Sequence, residues 1–328
     1  MSGPATTLNH DGQAAETTRA ACRRALRELA HSDPAVICVD ADTGGLEDVF
    51  AGLPGQYVNT GIAEANMISV AAGLAATGLR PFAHTIAGFA AARACEQIKI
   101  DVAGSSLPVC VVVTHAGLSA GHYGPTHHAV EDLAILRAMP NMTILVPADS
   151  LEAECALRAA YRIRGPVYLR LGRSPTPPVH RHPPEFTVGQ ALRLRDGDDV
   201  TLIATGPYPV HLALAAADDL ARHGLSARVL NMHTVKPLDE DAISRAAAQT
   251  AGIVTVEDHL VTGGLGGAVC EVVTARTPCP VRRVGVRDAF SERVGDERHL
   301  LAEAGVTADA IVSAARHVTR GAARRAAG

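Results

Sequence analysis

The chain has 328 residues, 47% of them hydrophobic and 20% charged, which suits a folded protein of one large or two ordinary domains and excludes a disordered one. A net charge of −4 leaves no basic footprint for nucleic acid or an anionic membrane, and 3% aromatics without Trp argue against stacking platforms for single strands. No apolar run approaches the roughly eighteen residues that span a bilayer.

Residues 1–13 read as a loose arm without the basic start or apolar stretch of a signal peptide, and a helix is expected over Thr17–Ala30. Apolar β-rich runs follow at Val36–Val39, Leu107–Val113, Thr143–Val146 and Val167–Leu171. Between them lie Ala-rich stretches with helical character, Glu64–Thr77, Ala87–Ala103, Ala129–Met139 and Leu151–Ile163. Strands alternating with helices of this length predict a parallel sheet covered on both faces. The segment Gly172–Phe186, GRSPTPPVHRHPPEF, carries five prolines and breaks the alternation, so an exposed linker is expected there. Alternation then restarts with strands at Val200–Thr205, Ser226–Asn231, Ile253–Val256 and Val281–Val286. Helices are expected near Val210–Arg222, after Leu238 and over Gly266–Thr277, with GAARRAAG as a frayed tail. The fold class is α/β, with two domains of mainly parallel sheets flanked by helices, at 14–171 and 187–320, joined by 172–186.

The seven cysteines, Cys22, Cys38, Cys95, Cys110, Cys155, Cys270 and Cys279, form no CxxC pair and no zinc spacing. They are expected to be free thiols in a reducing compartment, which points to the cytoplasm.

The most informative segment is Gln56–Thr77, QYVNTGIAEANMISVAAGLAAT, where Glu64 falls in the first turn of a helix rich in Ala and Gly. Taken alone, that carboxylate is a helix-start residue worth a few tenths of a kcal/mol. Its neighbours change the reading. TGIAEANM followed by AAGLAATGLRPFAHT resembles the segment bearing the catalytic glutamate in the transketolase family of thiamine diphosphate enzymes. The likeness continues in order through Thr114–Asp149, THAGLSAGHYGPTHHAVEDLAILRAMPNMTILVPAD, and Gly165–Arg173, GPVYLRLGR. It extends to Asn231–Asp239, NMHTVKPLD, and Val256–Val269, VEDHLVTGGLGGAV, covering the chain from about Ala20 to His317.

The resemblance implies roles residue by residue. Glu64 is expected to protonate a ring nitrogen of the cofactor's aminopyrimidine, so that the thiazolium carbon loses its proton; an apolar setting favours a carboxyl that keeps a proton for this task. Asp42, in the turn of VDADTGG, matches an aspartate near the cofactor, although Asp and Gly there also suit a plain turn. Ile86 and Phe89 stand where the family places aromatics around the aminopyrimidine. His115 and His127 match histidines that contact the donor, and Arg173 matches an arginine that holds a substrate phosphate. Tyr123 replaces the aspartate that usually precedes GPTH, a departure beside the substrate.

The family's metal- and diphosphate-binding domain, with its GDG motif and paired asparagines, has no counterpart; HDGQ and RDGDD lack the pattern. No metal ligand is therefore assigned to this chain. Mg2+ or Ca2+ and the diphosphate are expected on an N-terminal partner subunit, with two copies of each chain. The implied activity is transfer of a two-carbon ketol unit from a ketose, such as a sugar phosphate, to an aldose. A beta subunit of a 2-oxo-acid dehydrogenase, a 1-deoxy-xylulose-phosphate-synthase-like reaction and a non-catalytic scaffold are the alternatives. The glycines of Gly263–Val269 are expected to let a helix start tightly against a sheet. His259 is a candidate for the interface or the active-site mouth, and Lys236 with Pro237 is expected to set up the next helix.

Overall fold

The computed structural model describes residues 15–326, the last five as backbone only. Helix α1 (Thr18–Ser32) is capped by the Thr17 side chain, which accepts a hydrogen bond from Ala20 N at 3.0 Å. The chain continues through β1 (Val36–Asp40), β2 (Tyr57–Asn59), α2 (Glu64–Ala76), β3 (Arg80–Ile86), α3 (Ala87–Ala92) and α4 (Cys95–Gln97). Then come β4 (Cys110–Thr114), α5 (Asp132–Arg137), β5 (Thr143–Leu145), α6 (Ser150–Arg162) and β6 (Val167–Arg170). The second half comprises β7 (Leu192–Arg195), β8 (Val200–Ala204), α7 (Pro207–Arg222), β9 (Ala227–Asn231), β10 (Thr234–Lys236) and α8 (Glu240–Gln249). It closes with β11 (Ile253–Leu260), α9 (Leu265–Arg276), β12 (Val281–Val286), α10 (Glu297–Glu303) and α11 (Ala308–Ala326).

Seven strands form the first sheet in the order β10-β5-β6-β4-β3-β1-β2, all parallel except β10. The second sheet runs β12-β11-β8-β9-β7, with only β7 antiparallel. Central strands such as CVVVT of β4 are buried throughout, as expected where helices cover both faces. Met67, Ile68 and Ala71 of α2 pack with Val111 and Val113 on one face of the first sheet; Leu26 of α1 and Leu157 of α6 pack with Val112 on the other. In the second sheet, Val210 of α7 and Ile311 of α11 cover one face, and Ile243 of α8 and Val269 of α9 cover the other. Among the described residues, no helix is long and apolar enough to cross a membrane.

Several expectations need correction. The helix expected over Ala87–Ala103 is broken into α3, α4 and a π-helical stretch, Ile98–Ala103. Wide turns cause this: Ala94 N reaches Phe89 O at 3.2 Å, and Gly104 N reaches Lys99 O at 2.8 Å, both five residues apart. The helix expected over Ala129–Met139 shortens to α5, because Ala129 pairs with Gly117 instead. The proline-rich crossing is not free of the fold. Asp149 Oδ2 accepts hydrogen bonds from Val179 N at 2.9 Å and His180 N at 2.7 Å, and the Phe186 ring stacks on His233 at 4.1 Å. Lys236 and Pro237 do more than precede a helix. Residues 234–236 form β10, an antiparallel edge strand of the first sheet, and Lys236 Nζ donates to Arg137 O at 3.0 Å. The expected frayed tail instead continues α11 to Ala326; Ala327 and Gly328, like the expected arm at 1–13, lie outside the described residues.

Candidate active site

In parallel sheets the loops beyond the carboxyl ends of the strands gather ligand-facing groups. Asp42 follows β1, Asn59 ends β2, Ile86 ends β3, His115 follows β4 and Arg173 follows β6. Asp42 and His115 both adopt left-handed backbone, with φ of 61° each. Asp42 Oδ1 accepts from Asn59 Nδ2 at 3.1 Å, and Asn59 Oδ1 accepts from Gly61 N at 2.8 Å, which shapes the turn into α2. Gly61 has φ of 70°, a value glycine adopts without a Cβ penalty.

Glu64 opens α2 and is only 2% exposed. Its Oε2 lies 2.6 Å from Arg93 Nη1, and the Arg93 guanidinium rests 4.5 Å from the centre of the Phe89 ring. Phe89 and Arg93 are four residues apart on one helical turn, which brings the two side chains onto the same face. The Phe89 ring meets His127 edge-on at 5.1 Å, and His127 stacks on Tyr123 at 5.1 Å. Tyr123 lies 6.0 Å from His115 and 4.4 Å from His122, between ring centres, and the Arg173 guanidinium lies 5.5 Å from the Tyr123 ring. Arg173 Nη1 donates to His122 Nδ1 at 3.2 Å.

A continuous line of side chains thus runs from Glu64 through Phe89, His127 and Tyr123 to Arg173. Ile86 sits half-buried at the start of α3, three residues before Phe89. Burial, then the cations Arg173 and Arg19, push the His115 imidazole down to about 3, so His115 is neutral at ordinary pH. Its Nδ1 lies 2.8 Å from the Thr114 hydroxyl. Tyr123 is about half exposed, so its ring forms a wall open to solvent on one side.

Several side chains join the site without having stood out in the sequence. Arg93 lies in an Ala-rich run with nothing to mark it except its spacing from Phe89. Burial, followed by repulsion from Arg23 and Arg173, lowers Arg19, which places it within range of the same cationic cluster. The Thr43 hydroxyl bridges Asp40 Oδ1 at 2.7 Å and His84 Nδ1 at 2.9 Å, Tyr57 OH donates to Asp40 Oδ2 at 3.0 Å, and His84 is near enough to His115 to disfavour its charged form. Burial alone would raise the Asp40 carboxyl; the contacts with His84 and Thr43 outweigh it and hold it below the usual range. His84 stands near the end of the run AAGLAATGLRPFAHT, and its place near the carboxyl end of a strand is the signal that could have flagged it.

Other candidates are structural. His259 is fully buried; its Nε2 accepts from Ala134 N at 3.2 Å and its Nδ1 donates to Leu260 O at 2.8 Å, so it ties β11 to α5 and does not reach the mouth. The glycine-rich start of α9 is filled from within. Glu257 accepts from Leu265 N at 2.6 Å and Gly266 N at 2.9 Å, and burial pushes its carboxyl up to about 7. A Cβ at Gly264 would overlap that carboxylate. An external anion has no room there.

The donor set fits one half of a thiamine cofactor. Glu64 offers a buried carboxyl for a ring nitrogen, and Phe89 and Ile86 offer apolar surface for a flat heterocycle. Among the described residues, no group of three or more His, Cys, Asp or Glu side chains is arranged to hold a metal ion.

Residues 14–178 match the family described as transketolase, pyrimidine binding domain, and residues 189–311 match transketolase, C-terminal domain. The chain is 44% identical to the 6-deoxy-6-sulfo-D-fructose transketolase subunit SqwH of Clostridium sp. (strain MSTE9), covering 90% of this chain and 92% of that protein. It is 38% identical to an apulose-4-phosphate transketolase subunit of Phocaeicola vulgatus, covering 90% and 96%. Among solved structures, it superposes on a split gene transketolase, described as an inactive beta4 tetramer, with a TM-score of 0.85 and 39% identity, covering 93% of this chain and 99% of that one. With both halves matched in order, the chain belongs to the transketolase family and comprises its pyrimidine-binding and C-terminal domains.

Proposed function

We propose that this chain is the C-terminal subunit of a two-component, thiamine diphosphate-dependent transketolase. It transfers a two-carbon ketol unit from a ketose bearing a phosphate or sulfonate to an aldose. The observation that carries this reading is the unbroken line from the buried Glu64 carboxyl, across Phe89, His127 and Tyr123, to Arg173. One end suits a cofactor ring and the other suits an anion.

When bound, thiamine diphosphate supplies the nucleophilic carbon that takes up the ketol unit. Glu64 would exchange a proton with a ring nitrogen of the cofactor, with the Arg93 guanidinium beside its carboxyl. Ile86 and Phe89 would give that ring an apolar surface to lie against, and Asp42 shapes the turn into α2. Neutral His115 accepts or donates a hydrogen bond near the reacting carbon, and His127 orients the donor. Arg173, with Arg19 adding positive charge within range, receives the anionic end through its planar fork of donors. Two relatives are named for anionic sugars, one sulfonated and one phosphorylated, in keeping with such an end group.

The diphosphate and a Mg2+ or Ca2+ ion are assigned to an N-terminal subunit, with two copies of each chain in a cytoplasmic heterotetramer serving carbohydrate metabolism. The division into 14–171, 172–186 and 187–320 is retained as the functional partition, with β10 lent back to the first sheet. The 2-oxo-acid dehydrogenase and scaffold alternatives are less supported, because the relatives matched over nearly their whole length are transketolase subunits. The test is ketol transfer by the copurified pair of subunits, assayed with phosphorylated and sulfonated ketoses against short aldoses. Transfer by the pair and by neither subunit alone supports the reading; a pair that oxidises 2-oxo acids instead contradicts it.

A further inference from the structure

The loop from His115 to Ala129 carries Tyr123 and His127 and is closed at its base by paired backbone bonds. Gly117 N donates to Ala129 O at 3.0 Å, and Ala129 N donates to Gly117 O at 2.9 Å. His115 and His127 each stand two residues before a member of that pair, so its placement fixes their separation. Arg170 is 1% exposed and holds the same point: its Nη2 donates to Ala129 O at 3.1 Å, its Nε lies 2.8 Å from Asp132 Oδ2, and its Nη1 lies 2.6 Å from Asp258 Oδ1.

Asp258 belongs to β11, in the other sheet. Gly117, with φ of 58°, packs directly on it, and a Cβ at Gly117 would overlap the Asp258 carboxylate. Next along, Leu260 N donates to Val130 O at 2.7 Å. The tip of the loop meets the same half of the chain. A Cβ at Gly121 would overlap Gly295 O, and one at Gly124 would lie 3.3 Å from Val294 Cγ1. Both arms of the loop are therefore braced by the C-terminal half.

We propose that Asp258 is a positioning residue: through Arg170 and Gly117 it sets the base of the 115–129 loop and hence the spacing of His115 and His127 over the donor. This rests on the loop facing substrate, as in the function proposed above. It assigns the C-terminal domain a part in substrate geometry although none of its residues needs to touch the donor. The charge arrangement makes the claim testable. Arg170 faces two carboxylates, Asp132 and Asp258, so Asp258→Asn leaves a one-to-one buried pair and nearly the same shape.

The experiment reads Asp258→Asn twice. In the isolated chain, imidazole resonances of His115 and His127 are expected to move while those of His31 and His223, on distant helices, stay in place. In the two-subunit complex, the donor KM is expected to rise about ten- to a hundredfold with thiamine diphosphate affinity unchanged. Unmoved His115 and His127 signals overturn the proposal, as does a parallel loss of cofactor affinity and a shift of every histidine, which marks general loosening. Shifted His115 and His127 signals in a chain whose wild-type complex transfers no ketol unit support the positioning role and sink the functional reading alone. If Asp258→Asn does not fold, Arg170→Lys keeps the buried charge but loses the fork that joins Asp258 to Ala129 O. A moved His127 then supports the brace and an unmoved one overturns it.

Discussion

Arg93 and Glu64 form an ion pair at 2.6 Å in which the carboxylate is almost wholly buried and the arginine is half exposed. The pair lies against the Phe89 ring, so one arginine fixes the carboxyl and covers the aromatic face at once. Removing it with Arg93→Met leaves Glu64 without its side-chain partner. Turnover of the two-subunit enzyme is expected to fall about tenfold to a hundredfold and the melting temperature to drop with it, because the Glu64 carboxylate is left buried without its partner. Steady-state rates with a thermal melt check this, and an unchanged rate contradicts the positioning of Glu64 by Arg93.

Glu64→Gln keeps the shape of the carboxyl and removes its capacity to pass a proton. Assembly and fold are expected to persist, with turnover reduced by about a thousandfold or more. Near-normal turnover would remove Glu64 from the chemistry.

Arg173 lies against Tyr123 and donates to His122, and its fork is the group placed to grip an anion. Arg173→Lys retains the charge but loses the paired donors, so the donor KM is expected to rise about tenfold or more with little change in kcat. Comparing a phosphorylated or sulfonated ketose with its neutral counterpart isolates the effect. An equal loss for both substrates would mean that Arg173 does not hold the anion.

His115, His84 and His128 are held below the ordinary imidazole range, first of all by burial, and His115 falls to about 3. Unfolding frees them to bind protons near pH 6.5. Their neutral, buried form is therefore fully favourable above about pH 6.5, and stability is lost as pH falls from there toward 3. Urea midpoints measured from pH 8 to pH 4 should decline on the acid side. His115→Asn should flatten part of that decline; an unaltered slope would show that His115 titrates normally.

Much of the architecture was legible because parallel strands buried on both faces read as unbroken apolar runs, as in CVVVT and VICVD. The strands that escaped notice carry weaker signals. The run RPFAHTI of β3 begins with Arg and Pro, and β10 is three residues beside a turn motif. Glu64, Phe89, His127, Tyr123 and Arg173 could be named from motifs and are joined in one line by the fold. Arg93 and Asp258 could not. The first stands in an Ala-rich run with only its four-residue spacing from Phe89 to mark it, and the second acts across two sheets from a strand that reads as ordinary core.

The most direct test is calorimetric titration of thiamine diphosphate with Mg2+ into this chain, into its diphosphate-domain partner and into their complex. The account predicts tight binding by the complex alone, since this chain presents a carboxyl and an aromatic face for the ring and, among the described residues, no group of His, Cys, Asp or Glu side chains arranged to hold a metal ion. Tight binding by this chain by itself, or none by the complex, would contradict a cofactor site divided between two subunits.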